Sequence, residues 1–185
     1  MLIVLNIPFI SGVIQRLRLS PQERRNHALE HGTIHCFFHK HGQKKRVSGQ
    51  AKTDGFRIAG IHSPKEIHEA FNEFLSLDKQ EQWKMAISNR CGSMLCIAQG
   101  IGIISLLTAL VSFGLWQPSP PTVALTLGAQ FLLFLGFRHP LGRFLQKHRL
   151  LSLDFEEAKI LDIKQVDRIP LIESGPVYFV RTHVQ

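Results

Sequence analysis

Apolar residues follow two different patterns along this chain. From Cys91 to Phe137 no Asp, Glu, Lys or Arg interrupts the sequence, whereas on either side apolar positions alternate with charged ones. Inside the uncharged window, Met94–Trp116 is 23 residues with only small polar side chains. About 20 apolar residues cross the hydrocarbon core of a bilayer as a helix, so this run predicts a membrane span. Gln117-Pro118-Ser119-Pro120-Pro121 then predicts a tight turn that neither helix can run through. Thr122–Phe137, 16 residues, predicts a second, shorter span. It either borrows a turn from Arg138-His139-Pro140-Leu141 or tilts less. The other reading, a helical hairpin buried in a water-soluble core, needs more protein than a chain of this size supplies.

Before the window, Ser20-Pro21-Gln22-Glu23 is a capping box with Pro at the first helical position. It predicts a helix running to about His41 and stopped by Gly42. Gln43–Arg46 reads as a basic loop. Val47–Ala51 and Phe56–Ile61, joined through Lys52-Thr53-Asp54-Gly55, predict a hairpin with Asp-Gly at its turn. Ser63-Pro64-Lys65-Glu66 repeats the capping-box pattern, and Ile67, Ala70, Phe71, Phe74 and Leu75 form the apolar stripe of a second helix. Trp83, Met85 and Ile87 alternate with polar residues and predict a strand. After the window, Gly142–Leu151 is a basic amphipathic segment suited to a membrane surface. Lys159–Val166 and Val177–Thr182 then predict strands that complete the sheet begun before the window. The expected fold is therefore α+β: a small cytoplasmic helix-plus-antiparallel or mixed-sheet domain interrupted by a two-helix transmembrane hairpin. Its parts are an apolar membrane-surface segment (1–19), the α+β domain (20–90), the hairpin (91–140), and a basic juxtamembrane segment with the closing strands (141–185).

Charge gives this arrangement an orientation. The chain carries 22 Lys and Arg against 14 Asp and Glu, a net charge of +8. Arg90 precedes the first span, and Arg138, Arg143, Lys147 and Arg149 follow the second. By the positive-inside rule both termini face the cytoplasm of a multi-pass membrane protein. The basic excess is thereby explained, and with no aromatic-basic motif visible no nucleic-acid partner is expected. The expected partners are the lipid bilayer and other membrane proteins. Three cysteines, Cys36, Cys91 and Cys96, imply no disulfide framework and suit a reducing compartment.

The first helix carries the candidate chemistry. His27, Glu30 and His31 spell H-x-x-E-H, which on a helix sets two imidazoles one turn apart with a carboxylate beside them. A zinc hydrolase needs two nitrogen ligands of this kind and a general base for the metal-bound water. His27 and His31 are thus candidate zinc (Zn2+) ligands and Glu30 the candidate catalytic base. His35 continues the row but lies about 12 Å along the axis from His27, too far to share one ion. A third ligand would come from Glu69 or Glu73 on the second helix, or from Cys91. The same histidines also suit a packed helix, because Leu29, Ile34, Phe37 and Phe38 make it apolar on several sides. Two functions follow: a membrane-anchored zinc hydrolase of the peptidase type, or a non-catalytic membrane assembly or scaffold protein with a structural helix.

Asn26-His27-Ala28-Leu29-Glu30-His31-Gly32-Thr33-Ile34-His35, Gly55-Phe56-Arg57-Ile58, Asn89-Arg90-Cys91-Gly92-Ser93 and Tyr178-Phe179-Val180-Arg181-Thr182 occur here together. As a set they resemble an uncharacterised bacterial, largely cyanobacterial, family of small two-span membrane proteins classed as a domain of unknown function. The resemblance implies a membrane location and no assigned activity. Arg90 stands where that pattern leads one to expect Asn. Separately, His27, Glu30 and His31 resemble the inverted zinc motif of insulinase-like peptidases. That likeness implies zinc on the histidines, water activation by the glutamate and a further downstream glutamate, but not the large paired-domain fold of those enzymes.

Overall fold

The computed structural model describes residues 19–42, 46–89, 91–92, 100, 102–104, 107–110, 119–155, 157–167 and 175–184. The chain forms two compact units, one of Arg18–Ser88 with Lys147–Gln185, the other of Met1–Leu17 with Asn89–Gln146. The expected N-terminal membrane-surface segment lies outside the described residues.

In the first of these units α1 spans Pro21–His41. Its capping box forms as the sequence predicts: Ser20 Oγ accepts from the Glu23 N–H at 3.2 Å, and Glu23 Oε2 accepts from the Ser20 N–H at 2.9 Å. Gly42, at φ 77°, ends it. The helix is buried on more than one side, with Ala28, Leu29, Ile34 and Phe37 in the core and Asn26, Glu30, His31 and Thr33 buried beside them. A close neighbour is α2 (Pro64–Ser76). The Phe74 ring lies so near Gly32 that a Cβ there would collide with it.

The sheet holds β1 (Ser48–Lys52), β2 (Gly55–Ala59), β3 (Ala158–Val166) and β4 (Val177–Val184) in the order β1-β2-β4-β3. All three pairings are antiparallel. The late strands do complete the sheet begun by the hairpin. Strand alternation puts Phe56, Ile58, Tyr178 and Val180 in one core with Leu29 and Phe37 of α1. The next residues along, such as Arg57, Phe179 and Arg181, belong to the opposite face. Gly55, at φ 155°, closes the hairpin where a Cβ would run into the Val180 carbonyl.

Two local expectations change. The second helix starts at Pro64, but Ser63 caps it by accepting from the Lys65 N–H at 3.2 Å instead of forming a full box with Glu66. The expected Trp83–Ile87 strand is helical: α3 spans Lys79–Ala86. Asp78 Oδ1 caps it, accepting from Gln80 and Glu81 N–H groups at 2.8 and 3.0 Å. Trp83 and Ile87 are four apart, so a pair that fits alternation fits one helix face equally well. Past the π-helical turn Gln146–Leu150, Leu150 and Leu151 are buried.

In the other unit, Pro120 and Pro121 open α4 (Pro120–Leu145), as their fixed φ favours. The transmembrane hairpin is corrected here. Most of its first run, Met94–Trp116, lies outside the described residues, and among the described residues no helix is long and apolar enough to cross a membrane. Thr122–Phe137 rises only about 24 Å as a helix, short of a hydrocarbon core of about 30 Å. Arg138, His139 and the internal Pro140 follow it. The multi-pass location and the orientation with both termini cytoplasmic rested on that hairpin and fall with it.

Candidate metal centre

α1 sorts the motif onto two flanks. Asn26 and Glu30, one turn apart, face the sheet. Asn26 Nδ2 donates to the Lys52 and Thr53 carbonyls at 2.9 and 3.0 Å, and its Oδ1 accepts from Thr182 Oγ1 at 2.7 Å. Glu30 is only 4% exposed. Its carboxylate accepts from the Ala51 N–H, and Gly49 of β1 makes room for it, since a Cβ there would collide with the carboxylate. Burial pushes its pKa up from 4.5 to about 7, outweighing the opposite pull of His31 and of the Ala51 N–H.

His27 and His31 occupy the neighbouring flank with their rings edge to face, centroids 4.4 Å apart. His27 Nδ1 lies 3.1 Å from the Leu150 carbonyl, and His31 Nδ1 lies 2.6 Å from the Ala86 carbonyl. A carbonyl oxygen can only accept, so each Nδ1 carries the proton and donates. In the neutral ring the lone pair is then on Nε2. This backbone anchoring is the outer-shell contact that metal-binding histidines characteristically make, and it fixes tautomer and ring plane together. The two side chains bring ligand atoms within 4.8 Å of each other. Tetrahedral zinc, with bonds of 2.0–2.1 Å, needs roughly 3.4 Å between nitrogens.

Glu69 and Glu73 are placed apart. Glu69 pairs with Lys40 at 2.6 Å near the C-terminal end of α1, both side chains well exposed. Lys40 is nine residues beyond His31, about 13.5 Å along the axis. Glu73 lies near Cys36 and Lys40, whose pKa values its charge raises. Cys91 is half-buried and belongs to the other unit. Sequence reasoning missed the Leu150 and Ala86 carbonyls, which hold the two imidazoles from 123 and 55 residues away. No side-chain signal marks a backbone acceptor.

Residues 22–163 match the family described as Domain of unknown function (DUF6391). The chain belongs to that family. The match runs from α1 into β3 and takes in both histidines, Glu30 and Cys91. No curated protein and no solved structure matches the chain.

Proposed function

We propose that this DUF6391 protein binds a transition metal, zinc foremost, on His27 and His31, one turn apart on α1. The observation that carries the reading is the pair of imidazoles whose Nδ1 atoms are each held by a backbone carbonyl, which fixes both ring planes. Imidazole nitrogens are donors suited to zinc. Cys36 is a poorer donor: burial and the charge of Glu73 push its thiol up to about 11, which keeps it protonated.

Cobalt substitution tests the donor set. The native protein loaded with Co2+ is expected to show tetrahedral d–d absorption, and His27→Ala and His31→Ala should each weaken it. Octahedral, aquo-like spectra for the native protein would refute the site. A second reading, metal-dependent hydrolysis with Glu30 as base, is favoured by the H-x-x-E-H order and by the electrostatic reach between Glu30 and His31. The contacts of Glu30 with Ala51 and Gly49 favour the non-catalytic metal centre instead. Zinc-dependent cleavage of a generic peptide substrate that is abolished in Glu30→Gln would reverse that order.

A further inference from the structure

The sheet has a second face, opposite α1, whose character emerges only from the strand register. Arg57 of β2 pairs with Phe179 of β4, and Phe179 pairs on its far side with Lys164 of β3. One row therefore reads basic, aromatic, basic across three adjacent strands. The next row sets Lys52 of β1 opposite Gly55, which is opposite Arg181, which is opposite Asp162. Lys159 adds a further cation on β3, opposite His183. Lys52, Lys159, Lys164 and Arg181 are exposed, while Arg57 and Phe179 are half-buried. Asp162, 2.9 Å from Lys164, is the one acidic residue these registers place on the face. An exposed ion pair of this kind contributes little and is easily exchanged for another anion.

Neighbouring strands lie about 4.8 Å apart, so Arg57 and Lys164 flank Phe179 at about that distance on either side. An aromatic ring between two cations matches a nucleic-acid strand, in which a flat base alternates with a phosphate. Stacking on an exposed ring combined with cations tracking the backbone is how sheet surfaces hold single strands without sequence preference. We propose that this face binds single-stranded nucleic acid, with Phe179 as stacking platform and Lys164 and Arg181 as phosphate contacts, Arg57 lying beside the ring with its Nη2 donating to the Asp167 carbonyl at 2.8 Å. The linear sequence hides the motif because Arg57 lies more than 100 residues before Lys164, Phe179 and Arg181.

Fluorescence anisotropy of labelled oligothymidine and oligouridine with the full chain tests this, beside anionic phosphatidylglycerol vesicles and heparin. Binding to the oligonucleotides is expected to weaken with salt. Phe179→Ala should weaken it about tenfold, the scale of one stacked base. Arg181→Gln should lower the slope of log affinity against log salt by about 0.7, the value for one phosphate of a single strand. Lys164→Gln, at an exposed position, repeats the charge test if Phe179→Ala fails to fold. Absence of oligonucleotide binding at low salt overturns the proposal. So does heparin binding of equal strength with no effect of Phe179→Ala, and so does a preference for vesicles over oligonucleotides.

Discussion

Glu30 concentrates the physical tension of α1 in one side chain. A carboxyl at 4% exposure is costly to ionise, and its pKa of about 7 against an ordinary 4.5 records that cost. The folded-state pKa is the higher one, so the folded state holds the proton more tightly. The resulting stability is fully present below about pH 4.5 and is lost as pH rises through about 7. A shift of this size corresponds to something on the order of 3 kcal/mol. Chemical denaturation of the wild type from pH 5 to 8 should therefore show stability falling with pH from this group. Glu30→Gln, which keeps an acceptor for the Ala51 N–H without the charge, should flatten the fall and be the more stable protein at pH 8. A steeper fall in the variant would contradict the burial argument. Gly32 offers a second check at this scale. Gly32→Ala forces a methyl against the Phe74 ring and is expected to cost about 1–3 kcal/mol, read as a lowered denaturation midpoint.

At the scale of elements, Asn26 joins α1 to the hairpin turn and to β4 through three hydrogen bonds. Asn26→Ala leaves two part-buried carbonyls and the buried Thr182 hydroxyl without their partner, and a loss of about 2–4 kcal/mol is expected. Asp78→Ala removes only the cap of α3 and should cost about 1 kcal/mol. Comparable midpoints for the two variants would contradict the clamp. What the sequence makes legible follows the same division. Ser20, Glu23 and Gly42 announce α1 because caps are local side-chain-to-backbone chemistry. The hairpin and the late strands are readable from turn residues and alternation. α3 is not, because Trp83, Met85 and Ile87 satisfy period two while Asp78 supplies a cap that alternation does not register. The uncharged window misleads because its second run is only 16 residues, and the turn expected to lengthen it carries Arg138 and Pro140. For the site, spacing alone gives the pairing of His27 with His31. The direction of Glu30 depends on where β1 lies, and the anchoring carbonyls depend on chain-distant packing.

For the whole molecule, the proposed metal site couples distant parts of the chain. His27 is held from the last residue of the π-helical turn and His31 from the end of α3, so the ligand pair exists only in the folded protein. An ion bound there favours folding by about 2.7 kcal/mol when present at 100 times its dissociation constant. The Tm of wild type should accordingly rise with zinc, and that of His31→Ala should not respond. The most direct measurement is the metal content of the protein purified without added metal and after zinc loading and dialysis, with His27→Ala, His31→Ala and Glu30→Gln treated alike. Close to one equivalent of zinc is expected in the wild type and in Glu30→Gln, with none retained by either histidine variant. A folded wild-type protein that retains no zinc after loading, or histidine variants that keep it, would contradict a metal centre on α1.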